Sequence, residues 1–417
     1  MPTRKKGKAD GAAAAAAAAP DAGVDRISAL PDDTLHHVLS FLPAEDAVRT
    51  CVLARRWQHL WKSATGLRIG FSSHGDAPPS VDSLLHFVHH LLLLRKRDSC
   101  LHTCELRLRS RYVNSWSIDE GINLNLWIRH VVEQREVRRL RLEIHDSFFA
   151  FQLDRPVTQH LKTLALISVV LSSRCNFSYC PNLEHLEIAE SYIYQAPQIS
   201  SKSLKCLSVS NCFFSYMGSH TLICTPNLVS LRLDGHFASV PVLGSMPSLK
   251  EAFARDHNLD CENVDCFSCA DDVNDVTPDK SDYKNKCFLL QGLSEAQNLT
   301  LMCDYNGVVF HRDLEWCPTF NNLRTLLLNE WWCKDPDFYG LNLILKHSPV
   351  LERLNLHLFT KGPQHKVEMI GRYNQMERPA TILKHLKEIE VKCDVVNEQV
   401  HKVLKFLGTF GIHFLFK

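Results

Sequence analysis

Cysteine and histidine are the residues of this chain best suited to metal binding or nucleophilic chemistry, and it holds 16 of one and 22 of the other. The densest group is Cys261, Cys266 and Cys269, with Cys287 following and His257 upstream, in an aspartate-rich stretch over 255–287. Cys-x4-Cys-x2-Cys has a superficial likeness to a zinc site. Structural zinc is normally held by two closely spaced ligand pairs, and here the spacing is irregular and a matched second pair is missing. No metal is assigned, and the stretch reads as an exposed insertion. His36-His37 and His89-His90 fall on helical patterns whose default environment is solvent. The chain has no phosphate-cradling glycine loop, no Gly-x-Ser-x-Gly elbow and no His-Glu-x-x-His run. A cysteine nucleophile needs a positioned base, and no local signature marks any cysteine for that role. The expectation is a non-catalytic chain without cofactor or metal, whose work is done by surfaces.

Charge narrows the choice of partners. Lys and Arg number 47 against 46 Asp and Glu, a formal net charge of +1. That balance argues against nucleic acid, which calls for a basic excess or stripe. A hydrophobic content of 45% is enough for a substantial core. Scattered cysteines without a secretory leader predict reduced thiols in the nucleus or cytoplasm. Arg4, Lys5, Lys6 and Lys8 precede an alanine run to Ala19 and then Pro20. This reads as a solvated tail over 1–24, or as a nuclear import signal. No run reaches the roughly 18 apolar residues of a membrane span. The most apolar one, 84–94, is interrupted by His86, His89 and His90, so no membrane partner is expected.

The elements that present surfaces begin at residues 26–66. Leu35, Val38, Leu39 and Leu42 fall at i, i+3, i+4 and i+7, one stripe of a helix. Pro43 ends that helix and can open a second. Glu45 and Asp46 suit its positive end, and Val48, Cys51 and Val52 form its stripe. Leu53, Trp57, Leu60 and Trp61 make a third. About forty residues cannot enclose all these side chains. The surplus predicts either a docking face for a partner or a helical cap on the domain that follows.

Leu-Pro-x3-Leu-x2-Val-Leu-x2-Leu-Pro, starting at Leu30, then A-V-R-T-C-V-L-A-R-R-W-x-x-L-W over 47–61, resembles the F-box, especially its plant form. The resemblance implies binding of a Skp-type adaptor, and through it of cullin and RING subunits of a ubiquitin ligase. Carried over by position, Leu30, Pro31, Leu35, Val38, Leu39, Leu42, Val48, Val52, Trp57 and Trp61 face or support the adaptor. Sequence does not separate those two roles.

After a Gly/Pro/Ser linker at 72–80, Ser80 can cap a helix carrying Val81, Leu84, Leu85, Val88, Leu91 and Leu92. A short strand at 104–108 and a helix with Trp127, Ile128, Val131 and Val132 follow. A repeated L-x-x-L-x-L pattern then starts at Val137, Leu161, Leu183, Leu204, Leu228 and Leu249, at intervals of 24, 22, 21, 24 and 21 residues. Later copies start at Leu323, Leu351 and Leu386. Leucine-rich repeats have periods of roughly 20 to 29. The last two apolar residues of each copy point to one side of a strand, and stacking buries an edge that no repeat can bury alone. The prolines Pro181, Pro226, Pro247 and Pro349 each precede a predicted strand, and the C/T-P-N-L form resembles plant F-box proteins with leucine-rich repeats.

Strand positions between the leucines are expected to face solvent on a concave sheet. They include Arg139, Arg141 and Glu143, then His185, Glu187, Ser208, Ser230, Arg232 and Asp234, and later Arg353, Asn355 and His357. Such a face is either simply solvated or the place where a target protein binds. Of these, Arg139, Arg141, His185, Glu187, Arg232, Asp234, Arg353 and His357 are the candidate target-binding residues. The end of the chain, a strand to Cys393 and a helix with Val400, Val403, Leu404 and Leu407, resembles the start of the FBD region of many plant F-box proteins. It ends without a final repeat-like strand.

The expected fold class is α/β: a three-helix F-box, then a leucine-rich-repeat solenoid with a curved parallel sheet and outer helices or loops. The expected division is a tail at 1–24, the F-box at 25–70, a linker and helix at 71–100, the solenoid at 101–382 with its insertion at 255–287, and an FBD-like cap at 383–417. The expected function is a substrate receptor of a Skp–cullin–F-box ligase. The alternative is a non-degradative Skp-binding scaffold.

Overall fold

The computed structural model describes residues 27, 29–70, 81–96, 99–109, 118–134, 136–145, 149–153, 159–193, 198–214, 221–237, 241–257, 289–304, 308–335, 337–359, 385–409 and 414–416. The tail at 1–24, the linker at 72–80 and the four cysteines of the 255–287 stretch lie outside them.

Two prolines set the first helices. α1 (Asp32–Leu39) starts directly after Pro31, and α2 (Ala44–Arg49) directly after Pro43. Proline lacks an N–H, and the first helical turn does not need one. Asp32, Asp33, Glu45 and Asp46 fill those first turns, at the positive ends of the helix dipoles. The third apolar stripe forms on 3-10 turns, Thr50–Val52 and Arg55–Ser63, rather than on an α-helix. Leu35, Leu39, Ala44, Ala47, Trp57, Leu60 and Trp61 are buried together.

The main sheet follows at once with β1 (Gly66–Ile69), β2 (Thr103–Arg109), β3 (Arg139–His145), β4 (Ala150–Leu153), β5 (Thr163–Ile167), β6 (Val170–Cys175), β7 (His185–Ala189) and β8 (Tyr192–Ile193). After the short β9 (Ile199–Ser200) come β10 (Cys206–Phe214), β11 (Leu222–Cys224), β12 (Ser230–His236), β13 (Val242–Leu243) and β14 (Glu251–Asp256). The series ends with β15 (Asn298–Cys303), β16 (Thr325–Asn329), β17 (Arg353–Leu358), β18 (Glu388–Cys393) and β19 (Phe414–Phe416). The connecting helices are α3 (Val81–Leu94), α4 (Ile118–Gln134), α5 (Leu289–Leu293), α6 (Val308–Leu314), α7 (Tyr339–Lys346) and α8 (Glu398–Gly408).

The sheet is parallel along β1–β2–β3–β5–β7–β10–β12–β14–β15–β16–β17–β18–β19, so successive turns of the chain are spatial neighbours. In the middle of the chain, β9, β11 and β13 form a separate three-stranded sheet where helices stand at either end. The register stacks like on like: Leu140, Leu164, Leu186, Leu207 and Leu231 lie opposite one another in turn. All five are buried, each worth about 1.5–3 kcal/mol of transfer free energy.

The proline-containing loops act through two hydrogen bonds. The N–H groups of Leu183 and Leu228 donate to the carbonyls of Cys180 and Thr225, each at 3.1 Å, closing a turn just before the strand. Asn182 Nδ2 donates to the Gln159 carbonyl at 2.6 Å, and Asn227 Nδ2 to the Lys202 carbonyl at 2.7 Å. Each Pro-Asn-Leu thus ties its turn to the preceding repeat.

The repeat extends further than L-x-x-L-x-L marks it. Ala64-x-x-Leu67-x-Ile69 and Leu101-x-x-Cys104-x-Leu106 supply β1 and β2, and Ala296-x-x-Leu299-x-Leu301 supplies β15. The sheet therefore begins inside the span expected for the F-box. Arg95, buried at the end of α3, donates to the carbonyls of Trp61 and Ala64. At the other end the expectation of no final strand is corrected: β19 pairs in parallel with β18 through Ile389–Phe414 and Val391–Phe416.

Candidate functional site

Burial separates the two roles that the F-box resemblance left joined. Leu35, Leu39, Trp57 and Trp61 belong to the helical core, and Leu42 and Val48 pack against it half-buried. Leu30, Pro31, Val38 and Val52 are exposed, Val52 to 82%. Ile27, Phe41 and Leu53, absent from the assigned set, are exposed as well. Phe41 lies outside the helical stripe and Leu53 was read as part of one, so neither stood out as a surface residue. Arg56 fixes the entry to α1, donating to the Leu30 carbonyl at 2.6 Å and pairing with Asp32. Arg68 of β1 lies over the Phe41 ring, 5.8 Å from its centroid.

On the sheet, the candidate target-binding residues fall into three groups on different strands. Arg139 and Arg141 lie on β3, with His185 and Glu187 two strands away on β7. Arg141 reaches Glu143 at 3.8 Å and Glu187 at 3.7 Å, while Arg139 and His185 are exposed. Arg232 and Asp234 pair with each other on β12, and Arg232 also lies over the Phe253 ring at 3.9 Å. Arg353 is exposed on β17, and half-buried His357 meets Phe359 edge-on at 5.7 Å.

Two positions expected in solvent are not there. Glu143 and Asp234 are buried, because cations from their own and neighbouring strands fold over them. Glu143 takes Arg107 at 2.9 Å and His145 at 3.0 Å. Burial opposes its ionisation, yet hydrogen bonds from His145 and Arg107 outweigh that and hold its carboxyl below the usual range.

His257 has a place that cysteine spacing did not suggest. Its Nε2 lies 2.6 Å from Asp234 Oδ1 and its Nδ1 lies 2.8 Å from Asp304 Oδ2. A ring that donates from both nitrogens to carboxylates is the imidazolium. Hydrogen bonds to Asp234 and then Asp304 push its pKa up to about 9. Arg255 holds Asp304 from a second direction, at 3.0 and 3.1 Å. Arg232, Asp234, His257, Asp304 and Arg255 form one chain of alternating charge across β12, β14 and β15. No sequence spacing announces it, because its members are distant in the chain.

Five of the described thiols offer little nucleophilicity. Burial pushes Cys104, Cys180, Cys212, Cys317 and Cys333 up to about 12, where thiolate is scarce. Among the described residues no group of three His, Cys, Asp or Glu side chains is disposed to hold a metal ion, and no helix is long and apolar enough to cross a membrane.

Comparison with known proteins agrees with this geometry. The F-box domain family matches residues 27–66. An F-box/FBD/LRR-repeat protein of Arabidopsis thaliana is 27% identical over 389 residues, covering 83% of this chain and 79% of the relative. A second is 26% identical over 412 residues, covering 92% and 90%. An F-box/LRR-repeat protein of the same plant is 28% identical over 375 residues, covering 80% and 69%. The chain carries an F-box domain at its N-terminal end and is related over most of its length to plant F-box/FBD/LRR-repeat proteins.

Proposed function

We propose that this chain is the substrate-recognition subunit of a Skp–cullin–F-box ubiquitin ligase. The observation that carries the reading is the set of exposed apolar side chains in the F-box, Leu30, Val38, Phe41, Val52 and Leu53, beside helical residues that are already buried. Exposed large apolar residues on a small helical unit suit a partner's surface. That partner is a Skp-type adaptor, which brings cullin and RING subunits. The repeats, with the FBD-like strand and helix as their end cap, recruit a target protein through the polar face of the sheet. The chain works in the nucleus or cytoplasm.

The chain supplies no nucleophile in this scheme. It holds the target near ubiquitin carried by the cullin-bound machinery, so that a bimolecular encounter becomes an effectively intramolecular one. The division is modular: the F-box helices precede β1, and the repeats run from β1 to the FBD-like cap at 383–417. The test is reconstitution of the full chain with a Skp-type adaptor, cullin and RING subunits. Cullin retained only when the adaptor is present supports the reading. Adaptor binding without cullin recruitment points to a non-degradative scaffold instead.

A further inference from the structure

The carboxyl ends of the parallel strands carry two features that the F-box reading does not use. The first is a ladder of rings. Tyr192 stacks on Phe213 with centroids 5.1 Å apart and planes at 14°, and Phe213 stacks on His236 at 5.1 Å and 22°. His236 meets His257 at 5.8 Å. The register makes the ladder: Phe213 pairs with Tyr192 on one side and His236 on the other. A bulge between Ser210 and Cys212, with Asn211 in the left-handed region at φ 52°, resets the alternation so that Cys212 and Phe214 are buried and Phe213 is half exposed.

The second is a concavity of about 530 Å³ next to the ladder's His257 end, lined by Arg255, Asp304, Glu330, Asp394, Met302 and Phe359 among others. His257 joins the two, since it donates to Asp304. Among the described lining residues, three carboxyl groups, Asp304, Glu330 and Asp394, share one arginine, Arg255. Arg255 is held by Asp304. Neither Glu330 nor Asp394 has an ion pair with a described residue. Burial pushes the Glu330 carboxyl up, and Lys334 and Arg255 act on it only as more distant charges, not paired with it. Lys392, on the strand before Asp394, is paired with Glu390 at 3.6 Å. Among the described residues neither Glu330 nor Asp394 has an ion-paired cation, and both lie beside a thioether and an aromatic wall.

We propose that this edge takes a basic segment of the target, with an arginine or lysine in the concavity against Glu330 and Asp394 and its neighbours laid along the ring ladder. The inference rests on the target-recruiting role of the repeats. Complementarity selects the occupant: unbalanced carboxylates attract a cation, the apolar wall suits its aliphatic stem, and half-exposed rings stack with guanidinium groups. The chain itself uses that contact nearby, where Arg232 lies over Phe253 at 3.9 Å.

The test uses the full chain and a fluorescein-labelled hexapeptide with two adjacent arginines, read by fluorescence anisotropy. The same peptide with citrulline in place of arginine removes the charge and keeps the shape. The arginine peptide should bind and the citrulline peptide should bind far more weakly. Glu330→Gln and Asp394→Asn should each weaken the arginine peptide about fivefold, as for part-exposed charge pairs, and Phe213→Ser should weaken it too. Melting temperature and adaptor co-purification should stay at their wild-type values in the two carboxylate variants. Equal binding of the two peptides, binding of neither, or arginine binding unchanged in both carboxylate variants overturns the proposal. The peptide comparison on the unaltered chain needs no variant to fold. Adaptor and cullin recruitment is read separately, so loss of the ligase reading and loss of this site give different results.

Discussion

Replacing His257 with glutamine should change how the stability of the middle of the sheet depends on pH. Glutamine keeps a donor and an acceptor but cannot carry the charge that bridges Asp234 and Asp304. The histidine's proton affinity is raised in the folded state from 6.5 to about 9. A shift of that size corresponds to about 3 kcal/mol, reduced to about 2 kcal/mol for a ring that is 24% exposed and reached by solvent. Because the folded value is the higher one, the stabilisation is fully present below about pH 6.5, declines above it, and is gone once the pH passes about 9. Hydrogen exchange at the amides of β14 and β15 reads local opening directly, which suits a solenoid whose repeats need not unfold together. Between pH 6 and 9.5, corrected for intrinsic exchange, wild-type protection should fall by about 2 kcal/mol more than that of His257→Gln. Parallel pH profiles for the two proteins would refute the imidazolium bridge.

Four further substitutions test contacts elsewhere in the fold. Asp313 is fully buried and accepts the N–H groups of Leu289 and Leu290 at 2.7 and 3.0 Å. Asp313→Ala should therefore cost about 2–3 kcal/mol in urea denaturation, the price of leaving buried donors unpaired. Gly70 has φ +80°, and a Cβ there would meet the Arg107 carbonyl at 1.8 Å, so Gly70→Ala should lower the melting temperature by several degrees, consistent with roughly 1–3 kcal/mol of strain. Arg139→Glu should leave the melting temperature within about a degree, because the side chain is exposed, whereas Arg141→Glu sets a third carboxylate against Glu143 and Glu187 and should lower it measurably. If β3 takes part in recognition, both changes should reduce target capture while adaptor binding holds.

The solenoid was legible wherever leucine filled its repeat positions, because two large apolar residues two apart leave one reading for a strand. The repeat faded where alanine or cysteine took a position, as at Ala64, Cys104 and Ala296, since a small residue weakens the pattern; at Cys104 the strand was legible but not its place in the repeat. The last strand, Phe414–Phe416, is three residues long and carries no repeat pattern. In the F-box, Trp57 and Leu53 look alike as sequence. Only packing shows that one is buried and the other 67% exposed. The charged positions were the least legible. Glu143 and Asp234 occupy strand positions that alternation assigns to solvent, and they are buried because cations on their own and neighbouring strands cover them. His257 and Asp304 are 47 residues apart in sequence and 2.8 Å apart in space.

The most direct test of the proposed role is the affinity of the purified full chain for a Skp-type adaptor, by isothermal titration calorimetry, before and after Val52→Asp and Leu53→Asp. These side chains are 82% and 67% exposed, so the changes should leave the F-box core and the melting temperature intact. If the exposed apolar residues are the docking surface, the double variant should lose at least about 2 kcal/mol of binding, some thirtyfold or more in Kd. Wild-type affinity in a folded double variant would contradict that assignment, and no measurable binding by the unaltered chain would contradict the adaptor role itself.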